Sequence, residues 1–262
     1  MKFNDIINLL IKDIRIKPQE NWDNSGLQIG NLNSDIKNVM ITLDLDKETV
    51  RAAIENKIDL IITHHPFIFN PIKSIDFNTY DGEIIKDLIK NNINLYSMHT
   101  SFDMAEYGVN HVLAKKLGIE TFDVLHNIND SLNNPYGYGG VSDIKKTNIV
   151  KYAEFVKDAL NCKNLKLYCN DRNKIIARVA FCGGSGSEFI QDAIKNKADV
   201  YITGDIKYHQ AQDALKNDLL IIDAGHFYTE FHSLDNIKTS LEKISNLNII
   251  MLNKNTVEEI LI

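Results

Sequence analysis

Five residues spread along the chain carry side chains that divalent ions take as ligands. His64 and His65 are adjacent, Asp103 stands alone, and His226 and Glu230 are four residues apart. Neighbouring side chains on a strand face opposite ways, but at a strand's end, where the backbone turns at Pro66, two adjacent imidazoles can reach two different ions. His226 and Glu230 lie on one face if a helix begins near His226. Neutral imidazoles supply affinity for a borderline-soft ion, and carboxylates balance its charge or bridge a pair. Three imidazoles and two carboxylates exceed one closed tetrahedral site. They suit two divalent ions with open positions for water, which is a hydrolytic arrangement. The donor set leaves Zn, Mn, Fe, Ni and Co all open. A single histidine at a strand end is usually solvated or hydrogen-bonded, and taken alone His99, His111, His126 and His232 are read that way. The coincidence of five ligand-type residues at three strand ends argues otherwise.

The elements that must hold these residues follow from hydrophobic periodicity. Ile6, Ile7, Leu10 and Ile14 have helical spacing and open the chain with a helix over 4–14. Short aliphatic runs (39–43, 60–63, 95–98) alternate with helical patterns (48–56, 83–90, 109–117), and the alternation resumes from 149 to 252. Near-continuous apolar strands joined by helices predict an α/β fold with mostly parallel sheets covered on both faces. Residues 52–63 (AAIENKIDLIIT) match residues 192–203 (DAIKNKADVYIT) at seven of twelve positions without a gap. Each copy is a helix running into a strand, so the chain reads as two related α/β lobes. The densest turn cluster, Asn133 to Gly140, puts the boundary between a first lobe, 1–132, and a second, 133–262, with the C-terminal helix and strand free to pack back on the first. In open parallel sheets ligands bind outside the carboxyl ends of strands. His64 and His65, His99 to Asp103, Gly204 to His209 and Asp223 to Glu230 all come directly after strands there.

Composition bounds the partners. The chain has 262 residues, 29 Lys+Arg against 35 Asp+Glu and a net charge of −6, with only four arginines. No basic stripe could track a phosphate backbone, so nucleic acid is not the expected partner. The N-terminal apolar run is too short and too interrupted for a signal or a membrane span, which places the protein in the cytoplasm. Three cysteines without a C-x-x-C pair read as buried free thiols. A small anionic substrate would then have to be held by the metals and by backbone amides. Gly183, Gly184, Ser185 and Gly186 sit between a strand and a helix, where free amides could form an anion nest or simply make a tight turn. Lys207 could contact an anion from a neighbouring loop or stand on the surface. Trp22 and Asp23, in an N-terminal loop, could close over the cleft or anchor the first helix, and for Trp22 the core, the usual place of a lone tryptophan, is favoured.

WDNSGLQIG (22–30), ITHHP (62–66), HTSFD (99–103), GDIKYH (204–209) and DAGHFYTE (223–230) resemble, in order, the motifs of the dinuclear-metal-centre family of GTP cyclohydrolase 1 type 2 homologues, whose eukaryotic relatives were named as an NGG-interacting factor. The resemblance implies two α/β lobes with the metal site in the cleft between them, assembled as a homohexamer, with two metal ions on His64, His65, Asp103, His226 and Glu230. At this length the chain matches the short form, without an inserted domain. The activity implied is a metal-dependent hydrolysis like that of a GTP cyclohydrolase, on a small phosphorylated heterocycle such as GTP. The same residues suit a phosphoesterase, or a non-catalytic protein that delivers metal or scaffolds partners. His99 and His209 are candidates for proton transfer or for orienting the ligands, with orientation favoured.

Overall fold

The computed structural model describes residues 1–128, 135–257 and 259. They form two compact units, one of Met1–Phe102 with the residues from Leu234 as far as 257, the other of Asp103–Ser233 with Glu259. The division therefore falls at Phe102/Asp103, whereas the turn cluster suggested residue 132; Asn133 and Asn134 of that cluster lie outside the described residues.

In the first unit α1 (Phe3–Ile14) buries Phe3, Ile6, Ile7, Leu10 and Ile14, one helical stripe. The chain continues through β1 (Gly26–Ile29), β2 (Asn38–Thr42), α2 (Lys47–Glu55), β3 (Leu60–Thr63), α3 (Tyr80–Lys90) and β4 (Asn94–Ser97) to a single helical turn, α4 (Thr100–Asp103). Later α10 (Leu234–Leu241) and β11 (Asn248–Met251) complete the unit. Its five-stranded sheet has the order β1-β4-β3-β2-β11. All pairings are parallel except the antiparallel edge strand β1. Caps start the helices: Asp46 accepts from the Thr49 N–H at 2.7 Å for α2, and Thr79 from the Gly82 N–H at 3.1 Å for α3. Every residue of β3 is buried, as a strand covered on both faces requires. Met40, Ile61 and Leu95 of the sheet pack with Val50, Ala53, Ile84 and Leu88 of α2 and α3.

The second unit contains α5 (Val109–Lys116), β5 (Asp123–Asn127), β6 (Gly137–Asn148), α6 (Ile149–Ala159), β7 (Lys166–Tyr168), β8 (Ile175–Phe181), α7 (Ile190–Lys195), β9 (Val200–Thr203), α8 (Tyr208–Lys216), β10 (Leu220–Asp223) and α9 (His226–Glu230). Its six strands run β5-β6-β8-β9-β10-β7. The central β8, β9 and β10 are parallel, and the outer pairings are antiparallel. Strand β6 runs through the glycine-rich stretch that reads from sequence as a turn. Glycine is needed there because neighbouring groups come too close: a Cβ on Gly137 would lie 1.9 Å from the His126 carbonyl oxygen, and one on Gly140 2.4 Å from the Phe181 ring. The helical stretch after β10 is broken into α9, a turn of 3-10 helix at Phe231–Ser233, and α10.

The repeated segment folds the same way twice. Asn56 and Asn196 end α2 and α7, and the next residues, Lys57 and Lys197, take φ of 52° and 57°. The carboxylate oxygen Oδ2 of Asp59 then accepts the N–H groups of Lys37 and Asn38 at 2.8 and 2.9 Å. The equivalent Oδ2 of Asp199 accepts those of Ala177 and Arg178 at 2.6 and 2.9 Å. Each aspartate clasps the head of its own strand to the strand that precedes the helix.

Candidate metal centre

Strands β3 and β4 end level, Thr63 opposite Ser97, with their hydroxyls 2.7 Å apart. The histidines that leave these ends therefore start from one line. His64 is fully buried, and its Nδ1 lies 2.7 Å from the Met98 carbonyl oxygen. His65 Nδ1 lies 2.7 Å from Asp44 Oδ1, and His99 Nδ1 2.8 Å from Asp23 Oδ1. A carbonyl or ionised carboxylate oxygen can only accept, so each Nδ1 carries a hydrogen, and in the neutral ring Nε2 is the nitrogen that can ligate. Carboxylate or carbonyl behind imidazole is the arrangement that orients metal-binding histidines. The three rings stand with centroids 4.8, 5.4 and 5.7 Å apart, and one nitrogen from each falls within 4.8 Å of the others. This group could hold a metal ion.

Asp23 is itself fastened. Its Oδ2 accepts from Ser25 Oγ and Thr100 Oγ1, both at 2.6 Å, and from the Thr100 N–H at 3.1 Å. Burial acts to raise its pKa, but the hydrogen bonds from His99, Ser25 and Thr100 outweigh it and hold the carboxyl well below the usual range. Its neighbour Trp22, expected in the core, is 59% exposed, because the backbone here is anchored through Asp23 and the indole projects outward.

In the second unit β9 and β10 also end level, Thr203 opposite Asp223. Beyond them His226 opens α9 and Glu230 closes it, so the i, i+4 pair shares a face, with His226 Nε2 3.1 Å from Glu230 Oε2. His226 Nδ1 lies 2.7 Å from Asp205 Oδ2. Burial would lower the pKa of this imidazole, but the Glu230 charge and the hydrogen bonds to Asp205 and Glu230 lift it to about 11. The hydrogen bond to His226 in turn lowers Asp205. One carboxylate oxygen of Asp103 lies within 4.8 Å of one of Glu230. Carboxylates and an imidazole gathered in this way are a donor set that could hold a divalent ion.

Gly184 supports that fit. It has φ +67°, and a Cβ built on it would lie 2.1 Å from Glu230 Oε1 and 3.3 Å from His226 Nε2. Only glycine leaves the carboxylate where it stands. Three amides of the same loop are already taken up within the protein. The Gly183 amide donates to Asn110 Oδ1 at 3.0 Å, the Gly184 amide to Thr229 Oγ1 at 2.9 Å and the Gly186 amide to Thr203 Oγ1 at 2.9 Å. Asn110 also donates to the Asp103 carbonyl oxygen at 3.1 Å, so the glycine turn braces the candidate ligands. Ser185 is exposed. Lys207 and His209 stand exposed at the start of α8, the His209 ring beside Tyr208.

The structure thus brings His64 and His65 together in the first unit, with His99 joining them, and Asp103, His226 and Glu230 together in the second. Sequence reasoning gave none of Asp23, Asp44 and Asp205 the role of orienting a histidine. Asp23 and Asp205 lie inside WDNSGLQIG and GDIKYH, and Asp44 two residues beyond β2, so their signal was an acidic residue in each histidine's neighbouring loop.

The profile of the Duf34/NIF3 (NGG1p interacting factor 3) family matches residues 1–257. The chain belongs to the Duf34/NIF3 family. Among Duf34/NIF3 relatives, a GTP cyclohydrolase 1 type 2 homolog of Streptococcus pneumoniae is 42% identical over 216 residues, 80% of each chain. One from Clostridium perfringens is 37% identical over 245 residues, 93% of this chain and 91% of its own. The crystal structure of a Bacillus cereus protein related to NIF3 superposes with a TM-score of 0.90 at 25% identity, covering 100% of this chain and 99% of the other. In keeping with the pattern of strands and helices in the sequence, the fold is α/β in two lobes. Among the described residues no helix is long and apolar enough to cross a membrane.

Proposed function

We propose that this protein is a cytoplasmic metal-dependent hydrolase that holds two divalent ions through His64, His65, Asp103, His226 and Glu230 and acts on a small phosphorylated heterocycle such as GTP. The observation that carries the reading is the common anchoring of the imidazoles. His64, His65, His99 and His226 each fix Nδ1 on an oxygen 2.7 to 2.8 Å away. The names of the relatives support a cyclohydrolase-like reaction, and the resemblance in the motifs supports a homohexamer.

Bound there, divalent ions supply Lewis acidity and a water-derived nucleophile at neutral pH. The chain's own residues do the rest. Met98, Asp44 and Asp205 set the ring orientations before any ion arrives, and His226 would give up a proton when one binds. Asp103 and Glu230 balance the ionic charge. Asp23 holds the hydrogen of His99 at Nδ1, which leaves Nε2 to accept a proton from the reacting centre.

Protein stripped of metal and reconstituted with Zn, Mn, Fe, Ni or Co in turn should take up about two ions per chain, and uptake below about one ion would refute the dinuclear reading. The loaded protein is then offered GTP and a panel of phosphoesters. Turnover lost in His64→Ala and Glu230→Ala, with folding retained, is the expected result. Absence of turnover on every substrate, with metal passing to an acceptor protein, would overturn the hydrolase in favour of metal delivery.

A further inference from the structure

Two large aromatic side chains stand exposed beside the imidazole group of the first unit. Trp22 is 59% and Phe69 44% accessible. Their ring centroids are 6.2 Å apart with planes inclined at 56°. Both present edge-on geometry to His99, Trp22 at 6.2 Å and 80°, Phe69 at 6.3 Å and 82°. Exposed tryptophan is the informative case, since water contact forfeits the burial that such a side chain normally gains.

The pair is built into the frame. Asn24 Nδ2 donates to the Ile68 carbonyl oxygen at 2.5 Å, the Ile68 N–H donates to Gln28 Oε1 at 2.9 Å, and Gln28 Nε2 donates to the Asn24 carbonyl oxygen at 2.6 Å. These bonds tie the loop that carries Trp22 to the loop that carries Phe69. Asp23, next in sequence to Trp22, is held by His99, Ser25 and Thr100. A backbone fixed in this way gives up little conformational entropy when a ligand arrives.

We propose that Trp22 and Phe69 form an aromatic clamp for the flat base of a purine nucleoside or nucleotide. The inference rests on the reading of the site as one that acts on a small heterocycle, and it names the residues that would recognise the ring. An inclined pair of aromatic faces accepts a planar π system by offset stacking on one ring and edge contact with the other. The neighbouring imidazoles lie at the rim where polar ring atoms of such a base would emerge. Two side chains offer far less area than the roughly 800 Å² per partner that a stable protein interface uses, which favours a small ligand over a protein.

Trp22 is the single tryptophan of the chain, so its fluorescence reports on this position alone. Metal-free and metal-loaded protein are titrated with guanosine, GTP and ribose 5-phosphate, with correction for absorption by the nucleoside. Saturable quenching by guanosine and GTP, absent with ribose 5-phosphate, is expected in both forms. Phe69→Ala should weaken guanosine binding about tenfold and Phe69→Tyr should restore it, with circular dichroism unchanged. No quenching by guanosine, or equal quenching by ribose 5-phosphate, overturns the clamp. So does emission that is blue-shifted and resistant to acrylamide before any ligand is added, which would mean that a second copy covers the indole. Quenching without turnover would leave the clamp standing and refute the hydrolase, and turnover of nucleotides without quenching would do the reverse.

Discussion

Replacing Gly184 with alanine tests whether the glycine turn exists to clear space for a metal ligand. The added Cβ would sit 2.1 Å from Glu230 Oε1, so the carboxylate must retreat by about 1.3 Å to reach the 3.4 Å of ordinary contact. It can do so by rotating, because it is the end of a flexible side chain, but it then leaves His226 Nε2 and the Asp103 carboxylate. The fold should survive, since the φ of +67° costs an alanine only about 1 kcal/mol of strain. Metal affinity should not. Displacing a support of a ligand typically costs 10- to 100-fold, about 1.4 to 2.8 kcal/mol. Calorimetric titration with Zn or Mn on the parent, Gly184→Ala, Glu230→Ala and the double variant separates the two effects, with urea unfolding run in parallel. In the Glu230→Ala background, Gly184→Ala should cost stability by the same 1 kcal/mol or so and affinity nothing further. Affinity within twofold of the parent in Gly184→Ala, or an equal loss in both backgrounds, would refute the steric argument.

Asp205→Asn and Asp44→Asn should each weaken metal binding about 10-fold or more while leaving thermal stability within about 0.5 kcal/mol of the parent, measured by titration and by melting. Asp46→Ala removes the cap of α2 and should destabilise by about 1 kcal/mol at neutral pH. Burial tends to raise the Asp46 carboxyl, but Lys254 and the Thr49 bonds prevail and hold it below its ordinary value. Its ionic contribution is therefore complete above about pH 4, the unfolded value, and disappears as pH falls through the lower folded value, so unfolding curves of parent and variant should converge in acid. Cys162 and Cys182 are buried and Cys169 is half-buried, with burial raising the Cys162 thiol to about 12. A thiol reagent should modify Cys169 first in the native protein and all three residues only after unfolding.

What the sequence disclosed best was whatever repeats or sits at a strand tip. The match between 52–63 and 192–203 anticipates two modules with the same cap, the same left-handed lysine and the same aspartate clasp, because each residue there answers to its own local backbone. The ligand-type residues were legible for a similar reason: β3, β9 and β10 are nearly continuous apolar runs, and the polar side chains just past their ends stand out against them. Features that depend on contacts distant in sequence were not legible. Strand β6 hid behind glycines that are required by His126 and Phe181. Trp22 looked like core because nothing in its neighbourhood of the chain shows that Asp23 is fastened to His99 and Thr100, 76 and 77 residues away. The amides of Gly183, Gly184 and Gly186 looked available for an anion because their acceptors, Asn110, Thr229 and Thr203, lie elsewhere in the chain.

The aspartate clasps bear on how the chain reaches its native state. Asp59 closes on Lys37 and Asn38 across 22 and 21 residues, and Asp199 on Ala177 and Arg178 across 22 and 21. Loops of this size close at modest entropic cost, and contacts of short range set folding speed. Each half thus has a clasp that closes within its own stretch of chain, independent of the strand tips. Asp59→Ala and Asp199→Ala should slow refolding of the unit that contains them. Chemistry beyond Thr63 and Thr203 could then diverge, imidazoles after one strand and glycine with aspartate after the other, without disturbing the step that builds the frame.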